Sequence, residues 1–168
     1  MMEKHTSTTR KPIHLRQIRC TAYVRDDGLL DVEATLLDTK PFTLRMKERG
    51  ELAAGEPIHE MRLCLTLDWD LTVKDAVAMV VHSPFRVCGE IADAYRRLVG
   101  MQIKPGFHRE VKVMLANVSG CTHLTELIGP LATTAMQAQA ASDVREKNIS
   151  KTSLESAGVI PCVSTATW

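Results

Sequence analysis

A chain of 168 residues, 45% hydrophobic and with a formal net charge of +1, is long enough to bury a real core as one domain. Its balanced charge argues against a protein drawn to nucleic acid by its overall field, and an aromatic content of 4% argues against a stacking platform for single strands. No apolar run approaches the roughly 20 residues of a spanning helix, and the polar start lacks a signal's apolar core, so a cytoplasmic protein with no membrane partner is expected. Five cysteines in no tight framework read as reduced thiols, and eight methionines as adaptable core filling.

In chain order, residues 1–12 read as a flexible lead-in. From Arg16 to Arg25 a β-compatible run puts Ile18, Cys20, Ala22 and Val24 on one parity. Asp26-Asp27-Gly28 supplies a tight turn, and Leu30, Val32, Ala34 and Leu36 alternate along a half-buried return strand. Residues 38–57 form a connection with room for a short edge strand near Phe42 to Met46. Ile58 to Asp68 is the clearest strand, with Met61, Leu63, Leu65 and Leu67 on one face and His59 on the same parity. After Trp69-Asp70, Val73, Val77, Met79 and Val81 suggest its partner.

Helical spacing then takes over. Cys88, Ile91, Ala92, Tyr95, Leu98 and Val99 define a first helix stopped by Gly100, and Phe107, Val111, Met114, Leu115 and Val118 a second. A strand over 109–116 is the alternative for the second, because Val111, Val113 and Leu115 also alternate. A third helix buries Cys121, Leu124, Leu127, Ile128, Leu131 and Ala135, with a kink expected at Pro130. Residues 142–168 read as a mobile tail. The expectation is a single α+β domain over residues 13–141: an antiparallel sheet of about four strands in two hairpins, followed by three helices covering one face.

The segments YVRDDGLLDVEATLLDTK, GEPIHEMRLCLTLD, PFRVC and GCTHLTELIGPLATTAMQ together resemble an uncharacterised bacterial family known as a domain of unknown function. The likeness covers roughly residues 15–140, and GCTHLTEL is its most distinctive stretch. The matching positions are Asp27, Gly28, Asp31, Glu33, Asp38, Thr39, Lys40, Glu56, His59, Cys88, Cys121, Thr122, His123 and Glu126. The resemblance selects residues and brings no activity, cofactor or substrate with it.

Chemistry is expected to gather on cysteine and histidine. Cys88 and Cys121 each stand near a predicted helix N-terminus, where free backbone N–H groups and the dipole favour the thiolate that attacks electrophiles or binds metal. The alternative is that both are small buried hydrophobes. His123 follows Cys121 by two positions, about 200° around a regular helix, so only a non-helical turn at Gly120–Thr122 brings the two together. Otherwise His123 pairs at the surface with Glu126. His59 faces the apolar side of its strand, either as a core histidine or as a third ligand.

Cys88, Cys121, His59 and His123 are thus a candidate metal set, with zinc suited to mixed sulfur and nitrogen donors and an iron–sulfur centre less so. His82 is a possible substitute for His59, while His5, His14 and His108 have no evident companions. Asp31, Glu33 and Asp38 form an acidic cluster, either a site for acid–base work with Glu33 or Asp38 as the working carboxylate, or a solvated face paired with Arg25 and Lys40. Metal binding leads. Behind it stand a thiol enzyme using Cys88 and Cys121, a small-molecule-binding or acid–base domain, and an accessory protein with a protein partner or a homo-oligomeric state.

Overall fold

The computed structural model describes residues 9–141 of the chain; the tail over 142–168 and most of the lead-in lie outside the described residues. Two long hairpins build one antiparallel sheet in the order β1 (Leu15–Val24), β2 (Leu30–Thr39), β5 (Pro57–Leu67) and β6 (Val73–His82). The first turn is a three-residue loop, Asp26–Gly28, closed by the Arg25 N–H donating to the Leu29 carbonyl at 2.9 Å. Gly28 sits at φ 84°, the left-handed position that such a loop assigns to glycine. Between the hairpins a small two-stranded sheet joins β3 (Leu44–Met46) to β4 (Gly50–Leu52), so the expected lone edge strand is a hairpin of its own.

One face of the large sheet is dry. Leu30, Val32, Ala34 and Leu36 of β2 and Met61, Leu63, Leu65 and Leu67 of β5 alternate inward and are almost wholly buried, as the parity predicts. On β6 the predicted parity holds at Val73, which is buried opposite Leu67, and fails beyond it. Register shifts at Glu60/Met61 and Thr66/Leu67 bring Val80, Ala78 and Ala76 opposite Met61, Leu63 and Leu65. Val77, Met79 and Val81 therefore point away from the core, because each bulge moves the alternation by one residue.

The cover is helical, so the α+β architecture is as the sequence implies. A 3-10 segment, Arg86–Leu98, runs beside β6 and sends Tyr95 and Leu98 into the core; here a helix of 3.6-residue period was expected. The second predicted helix is α1 (Phe107–Met114), which settles 107–114 as helix and not strand. Val118 falls beyond it in a short 3-10 turn, Asn117–Ser119, and is 92% exposed, against its expected place on the buried stripe. The third is α2 (Thr122–Ala140), which lies over β1, β2 and β5 and buries Leu124, Leu127, Ile128, Leu131 and Ala135. Pro130 lies inside α2, and the helix continues through it. Among the described residues no helix is long and apolar enough to cross a membrane.

The thiols depart from expectation. Cys64, on the outer face of β5, is disulfide-bonded, while Cys20 and Cys121 are free. The five cysteines are thus not all reduced.

Candidate metal centre

The apolar parity of three neighbouring strands is broken at the same end of the sheet. On β1 it runs Ala22, Cys20, Ile18 and then Arg16; on β2 it runs Ala34, Leu36 and then Asp38; on β5 it runs Leu63, Met61 and then His59. Register places Arg16 opposite Asp38, and Asp38 opposite His59. A shift between Asp38 and Thr39 makes Ile58 an extra residue in β5, a bulge beside the site. Three polar side chains therefore lie in a row on the inner face, just where the apolar sheet ends.

The first turn of α2 closes this row from above. Gly120 makes that approach possible: a Cβ there would meet the Leu115 carbonyl oxygen at 2.4 Å. Cys121 is the N-cap, in extended conformation, and Tyr95 fixes it. The fully buried Tyr95 hydroxyl donates to the Cys121 carbonyl at 2.8 Å, accepts the Cys121 N–H at 3.2 Å, and lies 2.7 Å from the Thr125 hydroxyl. With the helix start pinned at both Gly120 and Cys121, His123 is delivered over the sheet.

Its ring stacks on His59, with centroids 3.8 Å apart and planes inclined by 26°. Asp38, 1% exposed, sits beneath both. His59 Nδ1 is 3.0 Å and His123 Nε2 3.8 Å from Asp38 Oδ2. Arg16 grips the same carboxylate in a fork, donating through Nε to Oδ1 and through Nη2 to Oδ2, each at 2.7 Å. Its Nη1 donates to Glu126 of α2. His14 adds a contact of 3.2 Å to Asp38 Oδ1.

These partners set the protonation states. Burial acts to raise the Asp38 pKa, but the hydrogen bonds and charge of Arg16, with His59 and His14, outweigh it and hold the carboxyl below its ordinary value. Burial lowers the His59 pKa, helped by the charge of His123, against the pull of Asp38. Burial also lowers that of His123, helped by Arg16, against Asp38 and Glu126. A charged carboxylate beside two neutral imidazoles is the donor state a metal ion requires. One ligand atom from each of Asp38, His59 and His123 can be chosen so that all three lie within 4.8 Å of one another.

The predicted residues divide around this centre. His59 and His123 meet in it, and Asp38 joins them. Cys121 stands at its edge, Sγ 4.0 Å from His123 Nδ1, an approach permitted by its non-helical N-cap geometry. Cys88 belongs to the start of the 3-10 segment, and its side chain lies outside the described residues. Glu33 and Asp31 point to the other face of the sheet from Asp38, so the three acids form no single cluster. Asp31 pairs with Arg25 at 3.5 Å and accepts from the Thr66 hydroxyl at 2.6 Å. His82 bonds Glu60 at 2.9 Å and does not replace His59. His14, expected to lack companions, touches Asp38. Arg16 and His14 were missed, although Arg16 breaks its strand's apolar parity as Asp38 and His59 break theirs.

No significant similarity to a curated protein or to a solved structure is found. The pattern described as a protein of unknown function (DUF2889) matches residues 14–137, a span that opens on His14 and contains Arg16, Asp38, His59, Cys121, His123 and Glu126. The chain belongs to that family.

Proposed function

We propose that the protein binds a divalent transition metal through Asp38, His59 and His123. The observation that carries this reading is the convergence of one carboxylate and two stacked imidazoles, with ligand atoms mutually within 4.8 Å, at the buried end of a sheet. Two histidines and one carboxylate suit zinc or ferrous iron, and three protein donors leave coordination positions open, as catalytic centres do and closed structural zinc sites do not. The side chains of His59 and His123 are 18% and 26% exposed, so an opening to solvent exists. Cys121 lies outside the ligand group. With Nε2 of His123 turned to the metal, its Nδ1–H faces the Cys121 sulfur, an outer partner that orients the ring.

Arg16 opposes a cation electrostatically, and Glu126 offsets it. The guanidinium already spans both carboxylates, so it keeps a partner when Asp38 Oδ2 turns to a metal. The test is elemental analysis of protein purified without chelator and then supplied with zinc or ferrous iron, for the wild type, His59→Gln and His123→Gln. One metal per wild-type chain and a loss of at least about tenfold in affinity in each variant is expected. A wild type that takes up no metal contradicts the reading.

A second reading rests on the contacts of the same histidine. Cys121 Sγ, His123 and Asp38 form a chain of 4.0 Å and 3.8 Å steps, the order of a thiol nucleophile, its base and the base's orienting acid. It predicts that Cys121 is alkylated much faster than Cys20 and that His123→Gln removes the difference.

A further inference from the structure

We infer that Arg16 is the anchor for a small carboxylic acid that binds the metal-loaded centre, with one carboxylate oxygen on the metal and the other on the guanidinium. The inference rests on the metal reading and extends it to a class of substrate or ligand.

The argument begins with the two oxygens of Asp38. Oδ1 receives Arg16 Nε and the contact from His14. Oδ2 receives Arg16 Nη2 and is the oxygen that both His59 Nδ1 and His123 Nε2 face. A metal held between the two imidazoles therefore takes Oδ2 and competes with one N–H of Arg16. The other two anchors of the guanidinium, Nε on Oδ1 and Nη1 on Glu126, are untouched by that competition. Loading the site thus releases a single charged donor without releasing the side chain.

That donor is well placed. Nη2 lies 2.7 Å from the oxygen that would coordinate the metal, so it borders the coordination positions left open by the protein. Arg16 is held at two points, so its remaining N–H is oriented in advance, and a planar fork matches a carboxylate in a way a point charge does not. A dication together with Arg16 outweighs Asp38 and Glu126, so the loaded centre is positive and favours an anion. The first turn of α2, which carries His123, adds no acidic residue to offset this. The Arg16 side chain is 35% exposed and that of Glu126 is 44% exposed, which opens this side of the centre to a ligand from solvent.

The experiment uses the full chain loaded with cobalt(II), whose visible absorption reports its coordination, and glycolate as the probe. In the wild type, glycolate changes the cobalt spectrum saturably. Arg16→Gln, brought to the same cobalt loading as the wild type, binds glycolate at least about tenfold more weakly. Imidazole, a neutral ligand, binds both proteins equally, which a merely structural loss would not allow. Arg16→Lys keeps the charge and loses the fork; it falls between the two, and it carries the test if Arg16→Gln does not fold by circular dichroism. Glycolate affinity unchanged in these variants overturns the inference and leaves the metal centre standing. A folded wild type that gives no cobalt spectrum overturns the metal reading, and the inference with it.

Discussion

Asp38 shows how a buried charge is kept. Its carboxylate receives the Arg16 fork and contacts from His14 and His59, so desolvation is met on both oxygens. Asp38→Asn removes the anion and leaves Arg16 facing a neutral amide. Because Glu126 still holds the guanidinium, whose side chain is 35% exposed, we expect a loss of about 1.5–3 kcal/mol, the range for hydrogen bonds to a charged group, read from urea unfolding at neutral pH. An unchanged urea midpoint would mean that this pair adds nothing net to the fold. At this scale the sequence was partly readable. His59 and His123 stood out by type and spacing. Arg16 did not, since an arginine at the start of a strand reads as solvated until the register sets it beside Asp38. Cys121 stood out as a possible ligand; geometry places its sulfur 4.0 Å from His123 Nδ1.

The element that makes the site is the first turn of α2, and two residues outside the ligand group position it. Gly120 is extended at φ −156°, a conformation open to any residue, so its requirement is steric: a methyl group would meet the Leu115 backbone. Gly120→Ala should destabilise by roughly 1–3 kcal/mol and weaken metal uptake by displacing His123 from His59. Retention of wild-type affinity and stability together would show that Leu115 simply yields. Tyr95 is the second anchor, and Tyr95→Phe should cost about 1–2 kcal/mol through the hydrogen bonds lost at Cys121 and Thr125. Burial raises the Tyr95 pKa, against the lowering effect of its bonds to Thr125 and Cys121. A raised folded value means that stability is full below the unfolded value of about 10 and falls as pH rises through the folded one. The alkaline fall in stability should therefore be shallower in Tyr95→Phe, and equal slopes in the two proteins would count against this assignment. Only the non-helical turn at Gly120–Thr122 was legible in the sequence. Tyr95 counted there as an apolar stripe residue, and nothing placed Gly120 against Leu115.

For the whole molecule, order and periodicity carried most of the architecture: two hairpins, then three helical pieces on one face. The misreadings have local physical causes. The bulge at Thr66/Leu67 reversed the parity of β6 beyond Val73, and a 3-10 winding replaced the first predicted helix. Long-range register made the centre hard to see, since its residues come from positions 14, 16, 38, 59, 121, 123 and 126 and meet only when three strands and the first turns of α2 are in place. A ligand that binds across β2, β5 and α2 should tie the molecule together. Metal at a hundredfold excess over its dissociation constant is expected to stabilise the fold by about 2.7 kcal/mol, visible as a rise in the unfolding midpoint that His59→Gln abolishes. The most direct measurement is a calorimetric titration of metal-free protein with zinc, comparing the wild type, His123→Gln and Cys121→Ala. The account predicts one equivalent bound by the wild type and by Cys121→Ala, more weakly in the latter because His123 loses an outer partner, and a larger loss of affinity in His123→Gln, which removes the ligand itself. Binding that disappears with Cys121, or that is absent from the wild type, would contradict a centre built on Asp38, His59 and His123.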